Sequence, residues 1–169
     1  MKGVTEYKGL SKFYFISLLK KIIKIGNLKE RNIKILDFGC GYNMLKTILG
    51  SKVIGYDIVD SLSDIDHWKN SQFELLVANQ VFYSFSRNEL EKLLKELKQK
   101  KRNLELIVTF SNQNIINNIG KFIFNKPDAH EGTRISPHEE KSILLKHCDV
   151  ISTSDHLYLA TILRLQFKK

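Results

Sequence analysis

Two acids and two glycines near the start of the chain have the residue types and spacing to hold a ligand that carries a nucleoside. Ile33-Lys34-Ile35-Leu36-Asp37-Phe38-Gly39-Cys40-Gly41-Tyr42-Asn43 is an apolar, β-branched run that stops at an acid and passes at once into a Gly-x-Gly turn. Lys52-Val53-Ile54-Gly55-Tyr56-Asp57 ends in a second acid, 18 residues after Gly39. The glycines permit positive φ and a close ligand approach, with their amides expected to point outward at its polar tail. An acid closing the next strand is placed to accept from sugar hydroxyls. A dinucleotide fingerprint would need glycine where Met44 stands, and no segment fits a phosphate-binding P-loop.

These residues need a sheet to hold them. The run through Asp37 reads as a buried parallel strand, because such strands are apolar on both faces. Residues 43–50 read as a short helix closed by Gly50, and 52–57 as the second strand. Only 15 residues, Ile58 to Gln72, precede the next strand, Phe73 to Asn79. A helix and strand cannot both fit there, so the unit is reduced to a turn and an extended piece near Ser63 to His67, and the sheet is trimmed on that edge. Ser86-Arg87-Asn88-Glu89 is a capping box opening a helix with Leu90, Leu93, Leu94 and Leu97 on its inner stripe. Glu91 and Lys95 form an i,i+4 pair on it.

Leu104 to Phe110 is a further strand, and residues 112–125 read as helix. Ser136-Pro137-His138-Glu139 is a second capping box with proline at the first helical position, opening a helix to about His147. Strands at 149–154 and 157–167 are too close in sequence for anything but an antiparallel hairpin. The first 30 residues read as an amphipathic helix, with Phe15, Leu18, Leu19, Ile22 and Ile25 on one face and Lys20, Lys21 and Lys24 around the other. With no repeat, linker or low-complexity tract, residues 1–169 read as one α/β domain.

At Asp37-Phe38-Gly39-Cys40-Gly41-Tyr42-Asn43 the chain resembles the class I S-adenosylmethionine (SAM)-dependent methyltransferases, whose first motif reads acid-x-Gly-x-Gly-x-Gly. Asn43 stands at the third glycine, and asparagine is the residue that best tolerates a left-handed backbone after glycine. The resemblance implies a Rossmann-like domain, mostly parallel and finished by the antiparallel C-terminal hairpin, here with the third strand/helix unit shortened. It implies a helical cover over the cofactor cleft from residues 1–30 and an α/β core from 31–169. SAM is the implied cofactor. Asp37, Gly39, Cys40 and Gly41 would surround its amino-acid half, Asp57 would take the ribose hydroxyls and Ile58 would lie against the adenine. Asp66, preferred to Asp64, would reach the adenine, and Asn79 would meet the methionine part or the substrate. Gln80 either joins Asn79 or caps nearby backbone, and His67 and Trp68 either shield the adenine or pack.

Methyl transfer from a sulfonium is an in-line displacement, so the protein mainly aligns the partners and excludes water. A hydroxyl acceptor also needs a base. His130, in the loop Asp128 to Arg134 where the family's substrate-side residues often lie, is the candidate, and the competing reading is a histidine bonded to its own surface turn. Tyr83 and Arg134 are further candidates for substrate contact. No His/Cys/Asp set has metal-ligand spacing, so no metal is expected. Family members that methylate base amines carry Asn/Asp-Pro-Pro-aromatic after this strand, and those that methylate cytosine carbon use Pro-Cys. Here the prolines are Pro127 and Pro137 alone, and Cys40 and Cys148 follow Gly39 and His147.

Net charge is +9 with pI near 9.5, which suits RNA or an anionic membrane surface as partner. The lysines are scattered over helix faces and both ends, and a solvated lysine-rich surface is the preferred reading. Two cysteines give no disulfide framework, which points to a reducing, cytoplasmic compartment, and no apolar run is long enough to span a bilayer. The function expected is SAM-dependent methyl transfer to a hydroxyl, amine or carboxylate of a small molecule or glycan-type metabolite. The alternatives are an RNA or protein methyltransferase and a non-catalytic SAM-binding protein.

Overall fold

The computed structural model describes residues 9–112 and 133–169, with side chains from residue 12 onward. The helix expected at 112–125 therefore lies outside the described residues, apart from Asn112. Helix α1 (Gly9–Ile25) leads to strand β1 (Ile35–Phe38), the short helix α2 (Met44–Leu49) and β2 (Val53–Tyr56). Then come β3 (Leu75–Asn79), α3 (Arg87–Lys100), β4 (Glu105–Ser111), α4 (Pro137–His147), β5 (Cys148–His156) and β6 (Ala160–Phe167).

The strands form one six-stranded sheet in the order β2-β1-β3-β4-β6-β5. β2, β1, β3 and β4 are parallel, whereas β6 runs antiparallel to both β4 and β5. The parallel strands are apolar on both faces because helices cover both. Leu36, Leu76, Ala78, Leu106 and Val108 pack with the inner stripe of α3 and with Ile143 and Leu144 of α4. Ile35, Leu75, Val77 and Ile107 pack on the other face with Leu18, Leu19 and Ile22 of α1 and Leu45 of α2. Each fully buried leucine or isoleucine adds roughly 1.5–3 kcal/mol of transfer free energy.

The third strand is absent among the described residues. Single turns of 3-10 helix at Asp60–Leu62 and Trp68–Asn70 fill the connection instead. Trp68 is buried there, edge-on to Phe38 at 6.5 Å between ring centres, so it packs under the trimmed edge.

Three local expectations change. The N-terminal helix stops at Ile25, because Gly26 and then Asn27, at φ 50°, turn the chain back toward the sheet. Ser86 and Glu89 complete their capping box, but at α4 only half of one forms. Ser136 accepts from the Glu139 amide, while the Glu139 carboxylate crosses to Arg87 on α3 at 2.9 Å. Glu91 likewise pairs with Lys146 of α4 at 3.0 Å rather than with Lys95. Both acids are drawn to the neighbouring helix, which only packing brings near.

Candidate functional site

Everything singled out around the glycine turn meets beyond the carboxyl ends of β1, β2 and β3, where ligands bind in sheets of this kind. Gly39 has φ +76°, and a Cβ there would lie 2.5 Å from the Val81 side chain, so both backbone and space exclude any other residue. Gly41 has φ +49° and nothing within 4 Å of its Cβ position, so that side of the turn is open.

Asn43 adopts the left-handed conformation expected of it, φ 55° and ψ 35°, and its Nδ2 donates to the Leu62 carbonyl at 3.1 Å. Its side chain lies over β2. A Cβ on Gly55 would fall 2.1 Å from Asn43 Oδ1 and 2.8 Å from Cys40 Sγ. The room surrendered in the loop by using asparagine is recovered one strand away by using glycine.

Asp57 joins the two halves of the site. Its Oδ2 accepts from the Gly41 amide at 2.9 Å and its Oδ1 from the Val59 amide at 3.0 Å. A carboxylate has about four lone-pair directions, so two remain free, the number a vicinal diol needs. The outward-pointing amides expected of the loop are a correction. Gly39 and Cys40 both donate to the Tyr56 carbonyl, at 2.7 and 3.1 Å, and Gly41 donates to Asp57. These bonds fix the loop's shape against β2.

Asp37 is the acid within β1. It is buried at the top of the face that α1 and α2 cover, and among the described residues its carboxylate has no hydrogen-bond partner. Burial, and then the neighbouring charges of Asp57 and Asp64, push its pKa up to about 7. Burial and the same three acids push the Cys40 thiol up to about 12, so Cys40 is an inert wall rather than a nucleophile.

The remaining candidates divide. Ile58, beside Asp57, is 91% exposed, an uncovered apolar side chain. Asp64 and Asp66 are both exposed, and Asp64 is the one tied to β2 and α2. Its Oδ2 accepts from the Gly55 amide at 2.7 Å and its Oδ1 pairs with Lys46, also at 2.7 Å. Although burial opposes it, those bonds and the Lys46 charge hold Asp64 below the ordinary carboxylate range. His67 rests between Tyr56 and Trp68. Asn79 ends β3 with its Oδ1 accepting from the Thr109 hydroxyl at 2.6 Å.

Gln80 follows at φ 56°, a strained backbone for a non-glycine residue, with its side chain hydrogen-bonded to the Tyr14 hydroxyl of α1. Burial raises the Tyr14 phenol above its usual value despite that bond. Tyr83 is half-buried, with its phenol raised by burial and by the Glu140 charge. Arg134 pairs with Glu89 at 2.7 Å, while its amide donates to the Tyr83 carbonyl. His130 lies outside the described residues.

Tyr14, Glu140 and the buttressing role of Asp64 were missed from sequence. Tyr14 sits one position from the apolar face of α1, Glu140 looks like one more solvated helix acid, and Asp64 differs from Asp66 only in where its turn points. An acid at a position followed three residues later by Ile143 and Leu144 was the one available sign that Glu140 faces inward.

Neither family models nor curated protein sequences match the chain. Solved structures do. The PH0226 protein of Pyrococcus horikoshii superposes with a TM-score of 0.72 at 14% identity, covering 98% of this chain and 95% of that one. Magnesium protoporphyrin IX methyltransferase of Synechocystis, solved with bound S-adenosylhomocysteine, gives 0.60 at 16% identity over 98% and 90%. A SAM-dependent methyltransferase from Aquifex aeolicus gives 0.62 at 18% identity over 89% of each chain. With its mostly parallel six-stranded sheet and antiparallel C-terminal hairpin, the chain has the α/β, Rossmann-like fold of the class I SAM-dependent methyltransferases.

Proposed function

We propose that the chain binds SAM in the cleft between the Gly39–Gly41 turn and Asp57 and transfers its methyl group to a hydroxyl, amine or carboxylate of a small molecule or glycan-type metabolite. The observation that carries the reading is the buried, unpartnered carboxyl of Asp37 in a field made negative by Asp57 and Asp64. The ammonium and sulfonium of SAM supply the missing positive charge, whereas the pyrophosphate of a dinucleotide would be repelled. Asp57 takes the ribose diol with its two free lone-pair directions, the exposed Ile58 meets the adenine, and Asn79 and Gln80 border the methionine end. SAM brings the electrophilic methyl group, and the protein has to align the acceptor and keep water out. The first described turns of α1, through Tyr14 on Gln80, serve as the cover on the acceptor side.

Thermal shift with SAM and with NAD separates the cofactor readings, since only the favoured ligand stabilises the fold. Stabilisation by NAD alone would transfer the site to dinucleotide chemistry.

Affinity should depend on pH in one direction. Binding needs ionised Asp37, whose pKa is about 7 in the free protein. SAM affinity should then fall by up to about tenfold per pH unit as pH drops below neutrality. Calorimetry in buffers of different ionisation heat should register proton release near pH 6. A flat profile would remove Asp37 from the site.

His130 is the proposed base for the acceptor. His130→Ala should leave SAM binding unchanged and lower turnover by about 10²–10⁴-fold, measured with labelled donor. Undiminished turnover would dismiss it. RNA or protein as acceptor, suggested by the charge of +9, is the competing substrate class. Salt-sensitive RNA binding would favour it.

A further inference from the structure

Helices α1 and α2 enclose a groove of about 780 Å³ beside the glycine turn. Its floor is aliphatic, built from Ile16 and Ile23 of α1 and Met44 and Ile48 of α2. Lys12, Lys20, Lys24 and Lys29 stand around it, against the single acid Glu30. Among the described residues none of these four lysines has an ion-pair partner. Beside this rim the molecule exposes Phe13 by 73%, Tyr42 by 51% and Ile48 by 38%. Concave apolar surface ringed by unneutralised charge of one sign fits a partner that is both apolar and anionic.

Two partner classes carry that charge. Single-stranded nucleic acid would stack its bases on ring faces, and the groove itself is lined by one ring, Tyr42, with Phe13 outside it, while most of the lining between the lysines is Ile16, Ile23, Met44 and Ile48. Acyl chains need aliphatic surface, and lipid phosphates need lysines that reach out from it. The spacing along α1 suits a helix lying in an interface, since Lys12, Ile16, Lys20, Ile23 and Lys24 all border the groove on one side of the helix.

We propose that this groove docks the protein on an anionic lipid bilayer, with Phe13, Tyr42 and Ile48 dipping between lipids and the four lysines on their phosphates. The inference is independent of the methyltransferase reading, because no residue of the Asp37–Asp57 pocket takes part. Its consequence is a location: the cleft would open beside the membrane surface, within reach of an acceptor held there.

Vesicle co-sedimentation tests it, using phosphatidylcholine vesicles with and without phosphatidylglycerol, and single-stranded RNA measured in parallel. Binding to the anionic vesicles should be at least about tenfold tighter than to the neutral ones and should weaken with salt. Lys20→Glu with Lys24→Glu should reduce it by at least about tenfold. Phe13→Ser with Ile48→Ser, at exposed positions that leave the core intact, should also weaken it while leaving its salt dependence unchanged. Equal or absent binding to both vesicle types would overturn the proposal, as would variants that bind like the parent. RNA bound more tightly than anionic vesicles would reassign the groove to nucleic acid.

Discussion

In Asp57→Ala, SAM should no longer raise the melting temperature. Ligand at a hundred times its dissociation constant stabilises the fold that binds it by about 2.7 kcal/mol. For a chain of this size that corresponds to a rise of roughly 5–10 °C. Asp57 holds both ends of the site, because its carboxylate bonds the Gly41 amide and the Val59 amide and still faces the cleft. Alanine removes the diol acceptor and frees the loop together. Asp57→Asn keeps an oxygen for the Gly41 amide but sets a donor NH2 against the Val59 amide and the hydroxyls. It should melt between the parent and Asp57→Ala and respond weakly to SAM. A full SAM response in Asp57→Ala would show that the ligand lies elsewhere.

The second large effect concerns stability. Glu140 lies in the first turn of α4, buried, with Oε1 lacking a hydrogen-bond partner among the described residues. Burial pushes its pKa up to about 8 from an ordinary 4.5. Because the folded state holds this proton more tightly than the unfolded chain does, folding is favoured at low pH. The contribution is fully present below about 4.5, declines as pH rises toward 8, and is gone above that. The loss across that window is on the order of a few kcal/mol. Glu140→Gln has no proton to lose, so it should match the parent near pH 5 and exceed it at pH 9 by that amount in urea denaturation. Asp37 acts in the same direction in both proteins, so the difference isolates Glu140. Curves that stay parallel across the range would place water beside this carboxyl.

How much could be read in advance depended on how local each cause was. The strand ending at Asp37, the turn at Gly39 and Gly41, the Ser86 cap and the terminal hairpin follow from neighbours a few residues apart. The short stretch from Asp57 to Phe73 likewise announced a missing strand. Prediction failed where one residue chose between partners. Glu91 took Lys146 over Lys95, and Glu139 took Arg87 over its own helix end. In each case the side chain had a local option, and packing offered a better one. The loop amides illustrate the same point, being engaged by Tyr56 and Asp57 where local geometry alone suggested they would be free.

The sequence by itself determined the backbone grammar: where φ must turn positive, where apolar runs must be buried on both faces, and which acids end which strands. Tertiary structure alone decided the electrostatics. Asp37 titrates near neutrality only because β1 is buried beside two other acid-bearing segments, Tyr14 borders the cleft only because α1 lies across the sheet, and four lysines face one groove only because α2 closes it. Chain connectivity sets conformational preference over a few residues, but burial and charge proximity depend on distances through space, and those exist only once the segments have packed.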